Sequence, residues 1–266
     1  MTGADALIET LVDCGVDTCF ANPGTTETHL VGAIDRTDRM RPILGLFEGV
    51  CTGAADGYAR LAGKPAATLL HLGPGLANGL CHLHNGRKAH SPIVNLIGNH
   101  PRSHLKYDAP LSSDIVGLAE PVSGWVRQTS EPGNLSQDGA DAVAAAWGPP
   151  GQVASLIIPA DCSWSEDASP AKAPQRPSQQ PAMDKAVQAI ADLCANGSKT
   201  ALLIGADGLT ELGLKAAGQI AEKTGIRLIA YTFEPRMQRG AGRVTVERIP
   251  YFPEDAAEAL KGLEHM

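Results

Sequence analysis

ILGLFEGVCTGAADGYARLAG, Ile43 to Gly63, is the stretch that decides the fold. It opens on an apolar run, Ile43 to Phe47, of strand length. A carboxylate, Glu48, follows at once. Next comes a helix-length segment, Gly49 to Ala62, made mostly of Gly, Ala, Cys and Thr, with Asp56, Tyr58 and Arg60 set into it. An apolar strand that feeds straight into a helix predicts a parallel sheet with helices packed on it. A helix poor in large side chains lets another surface come close to its backbone.

The same alternation extends outward in both directions. Ala6, Leu7, Leu11 and Val12 stand at helical spacing and predict a helix over 4–14, stopped by Gly15. A strand over 16–21 follows, ended by Asn22-Pro23-Gly24, and then a short helix over 27–34. Downstream, a strand over 66–72 is broken by Gly73-Pro74-Gly75. A helix over 76–89, a strand over 93–98, a less regular stretch, a helix near 137–147 and a strand over 153–159 complete the pattern. The fold class is α/β, a parallel sheet with helices on both faces. Residues 163–182 carry Pro170, Pro174, Pro177 and Pro181 among Ser, Gln, Ala and Lys and predict an extended linker. A second α/β pattern then begins, with helices over 184–195, 212–224 and 253–263 and strands over 200–205 and 227–231. No strand-like run follows the last helix, so this second domain is expected to be truncated. The expected organisation is a domain over 1–162, a linker over 163–182 and a partial α/β domain over 183–266.

Composition narrows the function classes. The chain has 266 residues, a formal net charge of −7 and 43% hydrophobic residues. That charge argues against broad affinity for nucleic acid or anionic membrane. No apolar run reaches membrane-spanning length, and the N-terminus lacks the basic start of a secretory signal, so a cytoplasmic location is expected. None of the six Cys forms a C-x-x-C pair, and most lie in apolar runs, which predicts free, mostly buried thiols.

In open parallel sheets ligands bind beyond the carboxyl ends of the strands. Three breaks fall there: Asn22-Pro23-Gly24-Thr25-Thr26, Glu48, and His71-Leu72-Gly73-Pro74-Gly75. Each has an ordinary reading. A Pro-Gly turn is usually only a turn. A Glu at a helix start offsets the helix dipole by about 0.3–1 kcal/mol. A His at a strand end is more often a satisfied structural residue. Their coincidence on one rim makes Glu48, His71 and Thr25 site candidates. Glu48 is expected at the end of a central strand, shielded from bulk water, with the other two facing the same cleft.

Four segments carry a resemblance. N-P-G-T-x-E begins at Asn22, F-E-x-x-x-x-G-A-A-D-G-Y-A-R at Phe47, G-P-G-x-x-N-G at Gly73 and S-P-I-V-x-L-x-G at Ser91. In this order they resemble the thiamine diphosphate-dependent enzymes, and within them the acetolactate synthase large subunit and benzoylformate decarboxylase group. The resemblance covers residues 1–162 as the pyrimidine-binding domain and, more loosely, 183–266 as the start of the central domain. It implies that Glu48 meets N1′ of the cofactor's aminopyrimidine and favours the imino tautomer that deprotonates the thiazolium C2. It implies that Pro23, Gly24, Gly73, Pro74, Gly75 and Asn78 contact the cofactor. Thr25 and Thr26 would lie near the substrate carboxylate, and His71 would transfer protons. The implied reaction is decarboxylation of a 2-oxo acid, with or without carboligation, in an acetolactate synthase-like enzyme. The alternatives are a benzoylformate decarboxylase-like enzyme or a non-catalytic pyrimidine-domain subunit. Acetolactate synthases usually have a small residue where His71 stands, and a Phe-Gln-Glu segment near Ala109-Pro110-Leu111.

The family holds Mg²⁺ and the diphosphate on a G-D-G segment followed by an N-N pair. This sequence contains no such segment, so no metal ligand is assigned within the chain and the isolated chain is expected to be inactive. Implied partners are a small 2-oxo acid and either a second copy, as a homodimer or homotetramer, or a second chain carrying the diphosphate site. Some relatives hold FAD in the central domain. Two rival readings remain. His82-Leu83-His84 with His90 could chelate a metal, though i and i+2 on a helix diverge. Gly205-Ala206-Asp207-Gly208 follows a strand but lacks the full G-x-G-x-x-G spacing of a nucleotide loop.

Overall fold

The computed structural model describes residues 1–176 and 181–266. It divides into two compact units, Met1–Ser178 and Gln179–Met266. In the first unit the order is α1 (Gly3–Asp13), β1 (Thr18–Asn22), α2 (Thr28–Asp35), β2 (Arg41–Leu44), α3 (Glu48–Ala62), β3 (Ala66–Leu70), α4 (Leu72–Lys88), β4 (Ile93–Asn99), α5 (Ile115–Ala119), β5 (Trp125–Gln128), α6 (Leu135–Trp147), β6 (Val153–Pro159) and α7 (Ala160–Trp164). Six strands form one sheet in the order β2-β1-β3-β4-β6-β5, and every pair is parallel. This is the α/β sheet that the sequence predicts.

Alternation along the strands builds the two faces. Cys19, Ala21, Leu69, Val94, Leu96, Leu156 and Ile158 point to one side and pack against Leu7, Leu11, Leu30 and Val143 of α1, α2 and α6. Phe20, Leu70, Ile93, Ile97 and Ile157 point to the other side and meet Cys51, Ala55, Leu72, Leu76, Leu83 and Ile115 of α3, α4 and α5. Three polar residues interrupt this second face at neighbouring positions. Thr68 Oγ1 donates to Asn95 Oδ1 (2.7 Å), Asn95 Nδ2 donates to Ser155 Oγ (2.9 Å), and Ser123 Oγ lies 2.8 Å from Ser155 Oγ. The row is buried and mutually bonded, so its desolvation is offset, and it disfavours any shift of β3, β4 and β6 against one another.

The G-A-A-D-G-Y-A-R block turns out to be largely structural. Asp56 is buried; it accepts from Arg60 Nε (2.8 Å), Arg60 Nη2 (2.5 Å) and Ser91 Oγ (2.5 Å). Tyr58 donates to Asp17 Oδ1 (2.9 Å) at the entry to β1. The small residues let α3 and α4 approach closely. Thr52 Oγ1 donates to the Gly79 carbonyl (3.0 Å), and a Cβ at Gly79 would stand 2.8 Å from Thr52 Cγ2.

Several elements differ from the expectation. β2 ends at Leu44, and Gly45 to Phe47 form a bend. β2 is also an edge strand, with Pro42 in it, as edge strands allow. Glu48 therefore follows an edge strand and is half-buried, not shielded at the end of a central one. Gly73-Pro74-Gly75 does not separate strand from helix; it lies within the first turn of α4, where the missing Pro74 N–H costs nothing. β5, which completes the far edge of the sheet, was hidden in the less regular stretch, because four half-exposed residues give no apolar run. Ser163 and Trp164, expected in the linker, end α7; residues 165–176 carry no regular element, and 177–180 lie outside the described residues.

Arg102 ties the carboxyl ends of three strands together. Its backbone N–H and Nε donate to Asp161 (3.0 and 2.7 Å), and its Nη1 reaches the Ser130 carbonyl (2.5 Å) and Glu131 (2.8 Å). Partial burial pushes the Asp161 carboxyl up, but the hydrogen bonds and charge of Arg102 outweigh it and hold the carboxyl below its ordinary value of 3.8. A depressed folded-state value stabilises above the ordinary carboxylate range, and that stability is lost as pH falls through the folded value. Arg102→Gln is therefore expected to lower the urea midpoint at pH 7 by a modest amount, about 1 kcal/mol or less for a pair this exposed. The gap should shrink as pH is taken below 3.8 toward the folded value. A gap that stays constant from pH 7 to pH 2 would show that the ion pair is not its cause.

The second unit contains α8 (Asp184–Cys194), β7 (Ala201–Leu203), α9 (Glu211–Thr224), β8 (Arg227–Ala230), β9 (Glu247–Arg248) and α10 (Pro253–Leu260). Its strands form a parallel sheet, β7-β8-β9, over a core of Leu209, Leu214, Ala217, Leu228, Ala230 and Val246. The two-residue β9 was too short to read from the sequence. The chain beyond α10 does return to the sheet: His265 bridges Thr200 in parallel, and Ala201 N–H donates to its carbonyl (3.0 Å). All six Cys are free; Cys19, Cys51, Cys162 and Cys194 are buried, and Cys81 is exposed. No helix among the described residues is long and apolar enough to cross a membrane.

Candidate functional site

The carboxyl rim of the sheet carries two polar clusters that meet at Gly75. The first is built on Glu48, in the opening turn of α3. Asn78 Nδ2 donates to its Oε2 (2.9 Å). Its Oε1 faces Gly75, where a Cβ would stand 3.4 Å away. One carboxylate oxygen is thus occupied and oriented, and the other is left toward a cradle kept open by a glycine. Asn22 Nδ2 donates to the Gly45 carbonyl (3.0 Å) and fastens the end of β1 to the bend before Glu48.

The second cluster joins the ends of β1 and β3. His71 caps α4, and its Nδ1 lies 2.7 Å from Glu27 Oε2. Glu27 is fully buried. The same oxygen accepts the Gly24 N–H (2.7 Å), and Thr26 Oγ1 donates to Oε1 (2.5 Å). A carboxylate acceptor assigns the proton to His71 Nδ1 and leaves Nε2 for other chemistry. Three close approaches fix the arrangement. A Cβ at Gly98, near the end of β4, would stand 1.6 Å from Glu27 Oε1. A Cβ at Gly24 would meet the His71 ring at 2.3 Å. Leu72, directly after His71, is buried and has φ +54°, a left-handed conformation that costs a non-glycine residue about 1–2 kcal/mol and turns the strand sharply into α4.

The first-turn residue Gly75 faces both clusters, with its Cβ direction 3.4 Å from Glu48 Oε1 and 3.5 Å from His71 Cβ. Glu48, His71, Thr26, Gly24, Gly75 and Asn78 are thereby brought onto one rim. Pro23 and Gly24 are half-buried at the end of β1, and Gly73 is buried, where a Cβ would collide with Ser113 at 2.3 Å. Thr25 and Pro74 are exposed beside this group; the Thr25 carbonyl accepts from Thr28 Oγ1 (2.9 Å). Sequence reasoning missed Glu27 as a functional residue. It stands in the N-P-G-T-x-E segment, three residues after Gly24, a spacing that lets a side chain bond back to a backbone N–H.

The rival centres do not gather the groups they need. His82 and His84 stand two positions apart on α4, roughly 200° around the helix. No group of three or more His, Cys, Asp or Glu able to hold a metal occurs among the described residues. In the second unit, Gly205 to Gly208 enter a tight turn. The Glu234 carboxylate accepts the Ala206 N–H there (3.4 Å), placing negative charge where a phosphate would bind.

Residues 1–119 match the family of the thiamine pyrophosphate enzyme N-terminal TPP binding domain. The chain is 52% identical, over its whole length, to a candidate acetolactate synthase large subunit of Mycobacterium tuberculosis, and spans 51% of that protein. It is 34% identical to a benzoylformate decarboxylase of Pseudomonas aeruginosa over 58% of this chain and 29% of that one. The chain thus spans about half, or less, of the curated relatives it matches. A solved thiamine diphosphate-dependent 4-hydroxybenzoylformate decarboxylase of Rhodococcus jostii shares the fold, with a TM-score of 0.85 at 23% identity over 98% of this chain and 50% of that one. With its N-terminal domain matched and its relatives in agreement, the chain is homologous to the N-terminal region of enzymes of the thiamine diphosphate-dependent family.

Proposed function

We propose that the whole protein decarboxylates a 2-oxo acid with thiamine diphosphate, and that this chain supplies the pyrimidine half of the site. The observation that carries the reading is the Glu48 carboxylate, held at Oε2 by Asn78 and open at Oε1 above Gly75. The cradle fits an aminopyrimidine edge, since a protonated or protonatable ring nitrogen is what an oriented carboxylate oxygen serves. Bound there, the cofactor supplies the electron sink that decarboxylation requires. Glu48 would hold the proton at the pyrimidine nitrogen, Asn78 would orient Glu48, and Pro23, Gly24, Gly73, Pro74 and Gly75 would shape the wall. His71, fixed at Nδ1 by buried Glu27, would present Nε2 to the substrate side as proton donor or acceptor. Thr25 and Thr26 would sit nearest the substrate carboxylate.

Carboligation is the second reading, supported by the name of the relative that is 52% identical. Products separate the two: the whole protein given pyruvate would yield acetolactate under the second reading and an aldehyde under the first. The Mg²⁺ and diphosphate site is assigned to sequence carrying a G-D-G segment, in a longer chain or a partner. A second copy, or such a partner, would complete the site. Turnover of a 2-oxo acid by the 266-residue chain alone would overturn that assignment.

His71→Ala in the whole protein is expected to lower kcat by about 10²-fold or more, with the cofactor's Kd within about threefold of the parent. Proton transfer needs the imidazole, whereas cofactor binding here rests on Glu48 and backbone. Equal losses of turnover and cofactor affinity would make His71 a structural residue.

A further inference from the structure

The amino edge of the first sheet, opposite the catalytic rim, carries a second candidate site. α4 begins at the carboxyl end of β3 and, at about 1.5 Å per residue, its C-terminus lies roughly 25 Å away. There Arg87 and Lys88, the last residues of α4, border an open depression of about 440 Å³ with His90, Gly124, Gly151 and Gln152. No Asp or Glu lines it. This is unusual in a chain whose net charge is −7, and it follows from an uneven sequence: between Asp56 and Asp108 there is no acidic residue at all. Four basic groups of that acid-free segment are committed elsewhere, Arg60 to Asp56, Lys64 to Asp17, His71 to Glu27 and Arg102 to Asp161. Arg87, Lys88 and His90 are exposed, and none of their side chains makes an ion pair or hydrogen bond among the described residues.

The plain alternative is that Arg87 and Lys88 only offset the negative end of the α4 dipole. The last carbonyls of α4 already have backbone partners, however. Ala89 N–H donates to Asn85 O (2.9 Å), Ser91 N–H to Gly86 O (2.9 Å) and His90 N–H to Arg87 O (3.3 Å). The nearby carboxylate of Asp56 is taken by Arg60 and Ser91. The depression itself is held open by backbone: a Cβ at Gly151 would stand 2.4 Å from the His90 carbonyl, so the two loops are packed together directly. Two fixed positive charges and an imidazole around a concave floor, with no internal counter-ion, suit a compact polyanion. A planar guanidinium bonds two phosphate oxygens at once, and an ammonium adds a point charge.

We propose that the depression bordered by Arg87, Lys88 and His90 binds the diphosphate group of a small phosphorylated molecule, at the sheet edge opposite Glu48.

The test is titration of the ¹⁵N-labelled 266-residue chain with sodium pyrophosphate, orthophosphate, ADP and citrate, followed by amide shifts. Saturable shifts centred on Arg87, Lys88, His90, Gly151 and Gln152 are expected with pyrophosphate. The affinity should fall with added salt and should drop at least tenfold in Arg87→Gln/Lys88→Gln. Both side chains are exposed, so this variant should keep the parent's spectrum elsewhere; Lys88→Glu gives a second, single-site check with the same expected loss. Tighter binding of ADP than of pyrophosphate assigns the diphosphate to a nucleotide, and equal binding assigns it to the diphosphate alone. Glu48→Gln should leave the titration unchanged, which separates this site from the catalytic reading. Non-saturating shifts, shifts centred elsewhere, undiminished affinity in the double variant, or tighter binding of citrate than of either diphosphate would each overturn the proposal.

Discussion

In the whole protein, Glu48→Gln is expected to slow exchange of the cofactor's C2 proton by about 10²- to 10⁴-fold, the range that a positioned acid–base group contributes. The amide keeps the size of the carboxylate and can still contact Asn78, but it cannot take or share a proton at Oε1. The fold should survive. Glu48 is half-buried in the first turn of α3, so losing its charge removes a favourable dipole interaction of only about 0.3–1 kcal/mol. Quenched-flow exchange followed by proton NMR measures the rate, and circular dichroism checks the fold. A variant that exchanges at the parent's rate would remove Glu48 from the mechanism. A variant that no longer folds would assign it to stability.

The largest effect on stability is expected from Asp56→Ala. Asp56 is 7% exposed and joins three groups: two nitrogens of Arg60 and the hydroxyl of Ser91. Its removal takes away the carboxylate that a partly buried guanidinium and a buried hydroxyl share. Breaking a fully buried pair costs about 3–5 kcal/mol. The Arg60 side chain is 27% exposed and can recover some hydration, so about 2–4 kcal/mol is expected. Urea unfolding of the first unit should show the midpoint shift with the slope unchanged. Replacing Arg60 as well should change the loss by a non-additive amount, because the two side chains act as one pair. A loss below about 0.5 kcal/mol in the single variant would mean that Asp56 is well solvated in solution.

The Glu48 and Asp56 tests address the same opening stretch of sequence, and they divide it. Under the proposed function Glu48 serves chemistry, while the D-G-Y-A-R end serves architecture through Asp56, Tyr58 and Arg60. The sequence showed the two as one block. Asp56 and Tyr58 contact residues far away in the chain, Ser91 and Asp17, and nothing in local spacing announces those partners.

Strong apolar periodicity made β1, β3, β4, β6 and the main helices legible, because buried strands and helix faces must be apolar wherever the chain later packs. The placement of three candidates was legible too: Gly24, Glu48 and His71 each stand where a strand gives way to a helix, with Gly75 in the first turn of α4 and Asn78 one turn on. Strand order is a long-range property, so the sequence could not tell that β2 lies at the edge, which leaves Glu48 half-buried. β5 and β9 escaped because short, half-exposed strands have no periodic signature. Glu27 escaped for a different reason. A carboxylate in a turn is ordinarily solvated; only the closing of β1, β3 and β4 side by side, with Gly98 and Gly24 lacking side chains, buries it and sets it against His71. Residue types and their local pattern determined which elements form and which groups reach the rim. Tertiary structure alone decided which of those groups touch, because contact across the sheet depends on strand order and on backbones that approach within a missing Cβ.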